Sequence, residues 1–332
     1  KGIEKLKEEF EYWYPFDIRN SGKDLIQNHL TFCLFNHVAI FPKKYWPIGF
    51  GVNGWVRVEG QKMSKSLGNM IPLTEMVKKF GADVSRLTIL NGGEGLDDPN
   101  WDSNFADMVE IRLANLYKFC VENYNKGRME RNNSDDWMEG ELNKIRRDTE
   151  EFMEKTMFRS AIQRCYFDLQ NSLKRYLQKN EKPNKELINR IIETQILLLT
   201  PFTPFICEEI WEKIGKKEFI SLAEWPKGNL KKIDEKLEKN EEKINNVQRD
   251  IINIKNIVRQ DRPYTYIYSI PSEVNLFEEN KNFLANTTGS KVIVVFSTKD
   301  VNENHKLDPK GKAKNAKPGK PGIYVSGTAL EV

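Results

Sequence analysis

Histidine and paired cysteine are what this chain has least of. Its 332 residues include only His29, His37 and His305, and four scattered cysteines, Cys33, Cys120, Cys165 and Cys207, with no Cys-x-x-Cys pair. That pattern excludes a zinc knuckle and a disulfide framework. Free, buried thiols in a reducing compartment are expected instead, and no residue is assigned as a metal ligand. Long apolar runs are also missing: none approaches the ~20 residues of a membrane span. With no signal peptide expected at its start, a cytoplasmic protein without membrane contact is anticipated. Neither sign of charge dominates, since 52 Lys and Arg face 48 Asp and Glu for a net +4. A balance that small does not by itself predict a nucleic-acid partner, so the distribution of charge matters more. The 39% hydrophobic content supports real cores, and the length allows two or three domains.

The informative presence is Lys62-Met63-Ser64-Lys65-Ser66, preceded by an alternating run over residues 52–60. Two lysines three apart can both reach a triphosphate, and the two serines can hydrogen-bond phosphate oxygens. A solvated basic turn has the same composition, so the motif needs context. Upstream, an aromatic-rich stretch over 13–16 leads to Gly22, and Leu25, Ile26, His29 and Leu30 then recur at helical spacing. This reads as a strand, a tight turn and a helix N-terminus, the usual place for a nucleotide in a parallel α/β sheet. Gly22 would allow close approach of a ligand. Asp24 is either an acceptor for ribose hydroxyls or an ordinary acid in a first helical turn.

Residues 21–30, 35–41, 52–69, 80–87, 96–101, 199–211 and 223–226 together resemble the leucyl-tRNA synthetases of archaeal and eukaryotic-cytosolic type, in class I. The resemblance implies ATP attacked at its α-phosphate by the leucine carboxylate, followed by transfer of leucine to tRNA(Leu). It implies Lys65, then Lys62, as catalytic contacts to the transition state, with ATP held by Gly22, Asp24, Lys62, Met63, Ser64, Lys65 and Ser66. Magnesium would accompany ATP through phosphates and water and needs no dedicated cluster. The family's first nucleotide motif, His-Ile-Gly-His or a relative, is absent from the sequence. So are the first half of the Rossmann-type domain, most of the leucine pocket and the editing insertion. The chain therefore resembles a half-enzyme that needs an N-terminal half or subunit. A non-catalytic tRNA-binding module, and a valine- or isoleucine-type synthetase, are the alternatives.

The expected fold class is α/β plus α. Residues 1–104 are read as the second half of the nucleotide-binding domain, with residues 92–95 as a turn. Residues 105–229 are read as an antiparallel helical bundle, with one stripe through Phe105, Met108, Val109, Leu113, Leu116, Tyr117, Cys120 and Tyr124. Periodicity restarts over 153–177, after a polar break at 131–136. Residues 230–325 are read as a small α+β domain, and 326–332 as a terminal remnant outside it. In that last domain Ile233, Leu237, Ile244, Val247, Ile251, Ile254 and Val258 keep 4-3 spacing. Such a stripe serves a coiled coil or a helix laid on a sheet, and the strand-like runs at 264–268 and 291–296 favour the sheet. Near the end Lys306, Lys310, Lys312, Lys314, Lys317 and Lys320 stand among glycines and prolines with Asp308 as the one intervening acid. A disordered tail has this composition too. The family resemblance instead implies tRNA contact there, through Lys312, Lys314, Lys317 and Lys320.

Overall fold

A computed structural model describes residues 2–66 and 68–330. Contacts group the chain into two units. The first comprises the chain up to Gly127 with Leu142–Asn171 and Lys185–Gly228; the second comprises Arg128–Glu141, Ser172–Asn184 and the chain from Asn229 onward.

The first unit opens with helix α1 (Gly2–Trp13), which buries none of its residues. The aromatic stretch behind it is not a strand. Phe10 stacks on Tyr14 at 4.7 Å and Phe41 at 5.6 Å, so the rings form a packed turn. The strand is instead the polar β1 (Arg19–Gly22), followed by a short 3-10 turn, a π-helical turn and α2 (Thr31–Ile40). Strand β2 (Phe50–Asn53) returns parallel to β1, with Gly22 opposite Asn53. Next come β3 (Arg57–Val58) and β4 (Gln61–Lys62), joined by Glu59 and Gly60 at φ 50° and 77°. Two successive positive φ values are what a tight antiparallel hairpin turn requires, and glycine meets one of them at no steric cost. Helix α3 (Leu73–Asn91) follows the lysine loop, and β5 (Asn100–Trp101) pairs parallel with β3.

Helix α3 is kinked at Gly81, whose φ of 78° and ψ of 167° lie outside helical space. Beyond the kink, Asp83 accepts from the backbone N–H of Phe205 at 3.3 Å and Ile206 at 2.7 Å. Arg86 donates to the Pro201 and Phe202 carbonyls. The bundle helices are α4 (Ser103–Asn123), α5 (Asn133–Glu154), α6 (Phe158–Ile162), α7 (Leu169–Lys179), α8 (Lys185–Leu199) and α9 (Pro204–Lys213). The expected stripe on α4 is the buried one through Val109, Leu113, Leu116 and Cys120. Two expectations need correction. Residues 133–136 already form the first turn of α5, and the periodicity read through 153–177 is interrupted at Thr156, whose φ is 55°.

In the second unit α10 (Glu235–Val258) starts at Asp234, whose carboxylate accepts from the N–H groups of Lys236 and Leu237. Then follow β6 (Tyr264–Ser269), α11 (Val274–Thr288), β7 (Val292–Ser297), α12 (Thr298–Glu303) and β8 (Gly322–Ser326). The sheet runs β7-β6-β8, parallel across the first pair and antiparallel across the second. Alternation sorts its faces. Ile267, Ile293, Val295, Ile323 and Val325 pack with Ile244, Val247 and Ile251 of α10 and with Phe277 and Leu284 of α11. Tyr266, Tyr268, Val294, Phe296 and Tyr324 face a layer that includes Val301, Leu307 and Ala313. The middle of the 4-3 stripe, from Ile244 to Ile254, thus covers a sheet, as the strand signals favoured, while Ile233 precedes the helix and Val258 is exposed.

The stretch set aside as a terminal remnant is partly built in. Ser326 pairs with Tyr264, and the Leu330 N–H donates to the Tyr266 hydroxyl at 2.7 Å. The strand pairing runs one residue past the expected boundary at 325. Residues 331 and 332 lie outside the described residues.

Candidate functional site

Gly22 sits at the junction of β1 and the following 3-10 turn, with an extended φ of −89°. Its need for glycine is therefore not conformational. A Cβ there would lie 2.5 Å from Oδ1 of Asp24, because the Asp24 carboxylate folds back over the glycine. The two residues singled out as a pair in the sequence are thus a physical pair. Asp24 itself is exposed.

The lysine loop leaves β4 with Lys62 and Lys65 both exposed, and Met63 and Ser64 half-buried. Lys62 holds its ammonium over the Trp55 ring, 5.1 Å from the centroid. The loop is tied down by Asn69, to which the sequence alone assigns no separate role. Its Oδ1 accepts from the Ser64 N–H at 2.8 Å, and its Nδ2 donates to the Lys62 carbonyl at 3.0 Å. Ser64 and Ser66 share a hydroxyl hydrogen bond of 2.7 Å, and the Gly68 N–H donates to the Lys65 carbonyl at 3.2 Å. Leu67 lies outside the described residues. Among the described residues Lys65 has no ion pair, so its charge is available to an anionic ligand.

Asp98 connects the Gly22–Asp24 turn to the hairpin that precedes the lysine loop. Its Oδ1 accepts from Lys23 Nζ at 2.6 Å and from the Trp55 N–H at 2.9 Å, while Oδ2 accepts from Arg57 Nη2 at 2.8 Å. Lys23 lies between Gly22 and Asp24, and also donates to the Leu96 carbonyl at 3.2 Å. Lys23, then the Trp55 N–H and Arg57, hold the Asp98 carboxyl well below the usual carboxylate range. Close by, Gly54 is obligatory: a Cβ would stand 2.0 Å from the backbone oxygen of Asp97. In the sequence Asp98 was only one acid in a resembling stretch. The signal for its role, contacts more than 40 residues distant in sequence, exists only in the fold.

The remaining expectations are also placed. His29 bonds Arg19 at 2.6 Å, and His37 contacts the Cys33 carbonyl at 2.7 Å and the Tyr14 hydroxyl at 3.4 Å. Among the described residues no group of three His, Cys, Asp or Glu side chains could hold a metal, and no helix is long and apolar enough to cross a membrane.

The lysine-rich end is folded. Asp308 accepts from the N–H groups of Lys312 at 2.9 Å and Ala313 at 2.6 Å, and Lys317 and Lys320 exchange backbone hydrogen bonds of 2.9 Å across a turn. Gly319, at φ 73°, donates its N–H to Glu273, which also pairs with Lys243 at 2.7 Å. Lys312, Lys314, Lys317 and Lys320 are all exposed. The reading as a disordered tail does not hold, because Ala313 is buried against the sheet's tyrosine face.

Residues 3–102 match the family of class I tRNA synthetases for I, L, M and V, and residues 135–265 match the anticodon-binding domain of tRNA ligases. The chain is 40% identical over 274 residues to the leucine–tRNA ligase of Pyrococcus horikoshii, covering 80% of this chain and 28% of that protein. Against the leucine–tRNA ligase of Aeropyrum pernix it is 42% identical over 252 residues, 75% of this chain and 26% of the relative. The match to the Archaeoglobus fulgidus enzyme is 32% over 377 residues, covering 98% of this chain and 39% of the relative. The chain thus spans between about a quarter and two-fifths of these relatives. A solved Agrobacterium radiobacter LeuRS in complex with tRNA and LeuAMS shares the fold at a TM-score of 0.56, with 21% identity over 77% of this chain and 31% of that one.

Proposed function

We propose, for a chain that belongs to the class I leucine–tRNA ligase family and spans only part of its members' length, that it supplies the lysine loop and the tRNA-supporting domains of an enzyme joining leucine to tRNA(Leu). In the complete enzyme a leucine carboxylate oxygen attacks the α-phosphorus of ATP, the bond to the bridging oxygen breaks, and pyrophosphate leaves with the accumulating charge. The leucyl group then passes to tRNA. No side-chain nucleophile is needed, so catalysis is positioning plus electrostatic stabilisation. Lys65 is assigned to the developing charge, with Lys62 second. Ser64 and Ser66 are assigned to phosphate oxygens, the Met63 segment to the nucleotide, and Gly22 with Asp24 to the ribose. ATP enters as its magnesium complex. By function we read residues 1–104 as catalytic, 105–229 as the supporting bundle and 230–325 as the tRNA-binding domain. A cytoplasmic location accords with that role.

The need for a partner bearing the other nucleotide motif and the leucine pocket rests on one observation, the apolar surface around β1 and β2. Parallel strands are ordinarily buried on both faces. Here the pair has two strands, and the neighbouring helices expose Phe32, Phe35 and Ile40 at 66%, 69% and 70%, with Leu6 and Trp13 at 67% and 66%. A partner that extends the sheet would cover them.

The test is leucine-dependent pyrophosphate exchange. The purified chain should show none, and activity should appear when a matching N-terminal polypeptide is added. Robust exchange by the chain alone would overturn the half-enzyme reading.

A further inference from the structure

The lysine loop and the Gly22–Asp24 turn come from different elements, yet both must address one nucleotide to within a fraction of an ångström. Something has to hold them in register. The Lys62–Trp55 contact and the folded-back Asp24 carboxylate each fix one element locally. Neither links the two.

We propose that Asp98 is a positioning residue for adenylate formation, a single carboxylate that clamps the ribose-side turn to the hairpin carrying the lysine loop. Its three bonds divide between these elements. Lys23, bonded at 2.6 Å, is the residue between Gly22 and Asp24, so its anchoring sets where that turn points. Arg57 at 2.8 Å belongs to β3, which pairs with β4 and so with Lys62. The Trp55 N–H at 2.9 Å fixes the segment whose indole supports the Lys62 ammonium.

The chemistry suits a clamp. A carboxylate accepts in-plane from several donors at once, and bonds to ionised groups are roughly twice as strong as neutral ones. The site supplies two cations and one N–H to one anion. The close packing of Gly54 against the Asp97 backbone leaves the segment little freedom to slide. Asp98 does not act on ATP directly; it acts through Lys23 and Trp55. It also engages the Lys23 ammonium in an ion pair at 2.6 Å, whereas Lys62 and Lys65 are the exposed cations of the loop.

This inference rests on the proposed leucine activation, and the experiment separates the two. Asp98→Asn keeps an acceptor for Trp55 but removes the charge that holds Lys23 and Arg57. In the complex with the N-terminal half, leucine-dependent pyrophosphate exchange should show the ATP KM raised and kcat/KM for ATP lowered by roughly 10- to 100-fold, the scale of an ångström-level misplacement. The leucine KM and the tRNA Kd should stay at parent values, and Asp98→Glu should recover part of the loss. Active-site titration distinguishes this from poor folding, which lowers the active fraction and leaves the ATP KM alone. In the chain by itself, Asp98→Ala should accelerate hydrogen exchange at the Trp55 amide. An active parent complex with an unchanged ATP KM in Asp98→Asn overturns the clamp alone. A parent complex that never activates leucine overturns both the clamp and the reading on which it rests.

Discussion

Lys65 is exposed and, among the described residues, has no ion pair, on a loop whose backbone Asn69 pins from both sides. A cation in a prepositioned loop costs no reorganisation when charge develops, and that is where electrostatic catalysis is greatest. In the reconstituted enzyme Lys65→Ala should lower adenylate formation by about 100-fold or more, with tRNA affinity unchanged. A normal exchange rate would remove Lys65 from its assigned role. Gly22 offers a subtler test. Its added Cβ would meet only the Asp24 carboxylate, the far end of a movable side chain. Gly22→Ala should therefore leave the unfolding midpoint near the parent value but raise the ATP KM, in the same direction as Asp24→Ala. The thiols make a third case at this scale. Burial pushes the Cys120 and Cys207 thiols up to about 12, and pushes Cys165 up as well, while Cys33 is half-buried. Because the thiolate is the reactive form, a disulfide reagent near pH 8 should label Cys33 first and reach the other three only on unfolding. Rapid native labelling of all four would contradict the packing described for the bundle.

Among the elements, α10 owes its place to packing more than to propensity. Ile251 is fully buried between α11 and the sheet, so Ile251→Ala should cost about 2–5 kcal/mol in urea unfolding of the second unit. A loss near zero would mean that the helix stripe is not the core. The same 4-3 spacing could have served a coiled coil, and only the strand signals at 264–268 and 291–296 chose between them. Those strands were legible because β-branched and aromatic residues fill them. The polar β1 was not: Arg19-Asn20-Ser21-Gly22 has no strand signature, and its pairing with β2 fixes it. The break at Thr156 was hidden because apolar spacing continues past it. In the site, Lys62, Lys65, Gly22 and Asp24 could be named because their chemistry is local. Asp98 and Asn69 could not, since their roles consist of partners supplied by folding. The lysine-rich end illustrates the same limit. Its composition allows a tail, and its actual order comes from Asp308, Glu273 and the buried Ala313. Changing Lys312, Lys314, Lys317 and Lys320 together to alanine should weaken tRNA binding and reduce its salt slope by at most roughly 3 to 4. Leucine activation without tRNA should be unaffected. Unchanged affinity and slope would mean that this ordered surface does not meet phosphate.

At the scale of the whole molecule, the proposed contacts differ in physical kind, and salt separates them. Lysines meeting phosphates lose affinity as salt rises, because released counterions no longer favour binding. The surface left open by α1 and α2 is apolar, and burial of apolar area is insensitive to ionic screening or strengthened by excluded salts. Association with the N-terminal half should therefore persist at salt concentrations that abolish tRNA binding. Substituting Phe32→Asp with Phe35→Asp places two charges on α2, where both rings are more than 60% exposed, so the isolated chain should stay folded. The same pair should weaken assembly by about 100-fold or more, since each buried aromatic contributes about 1.5–3 kcal/mol and an unpaired buried charge costs more. Titration of the N-terminal half by sedimentation or calorimetry, with far-ultraviolet circular dichroism as the folding control, reads this directly. A folded variant that assembles as tightly as the parent would show that the partner covers another face, and the sheet-completion argument would fall with it.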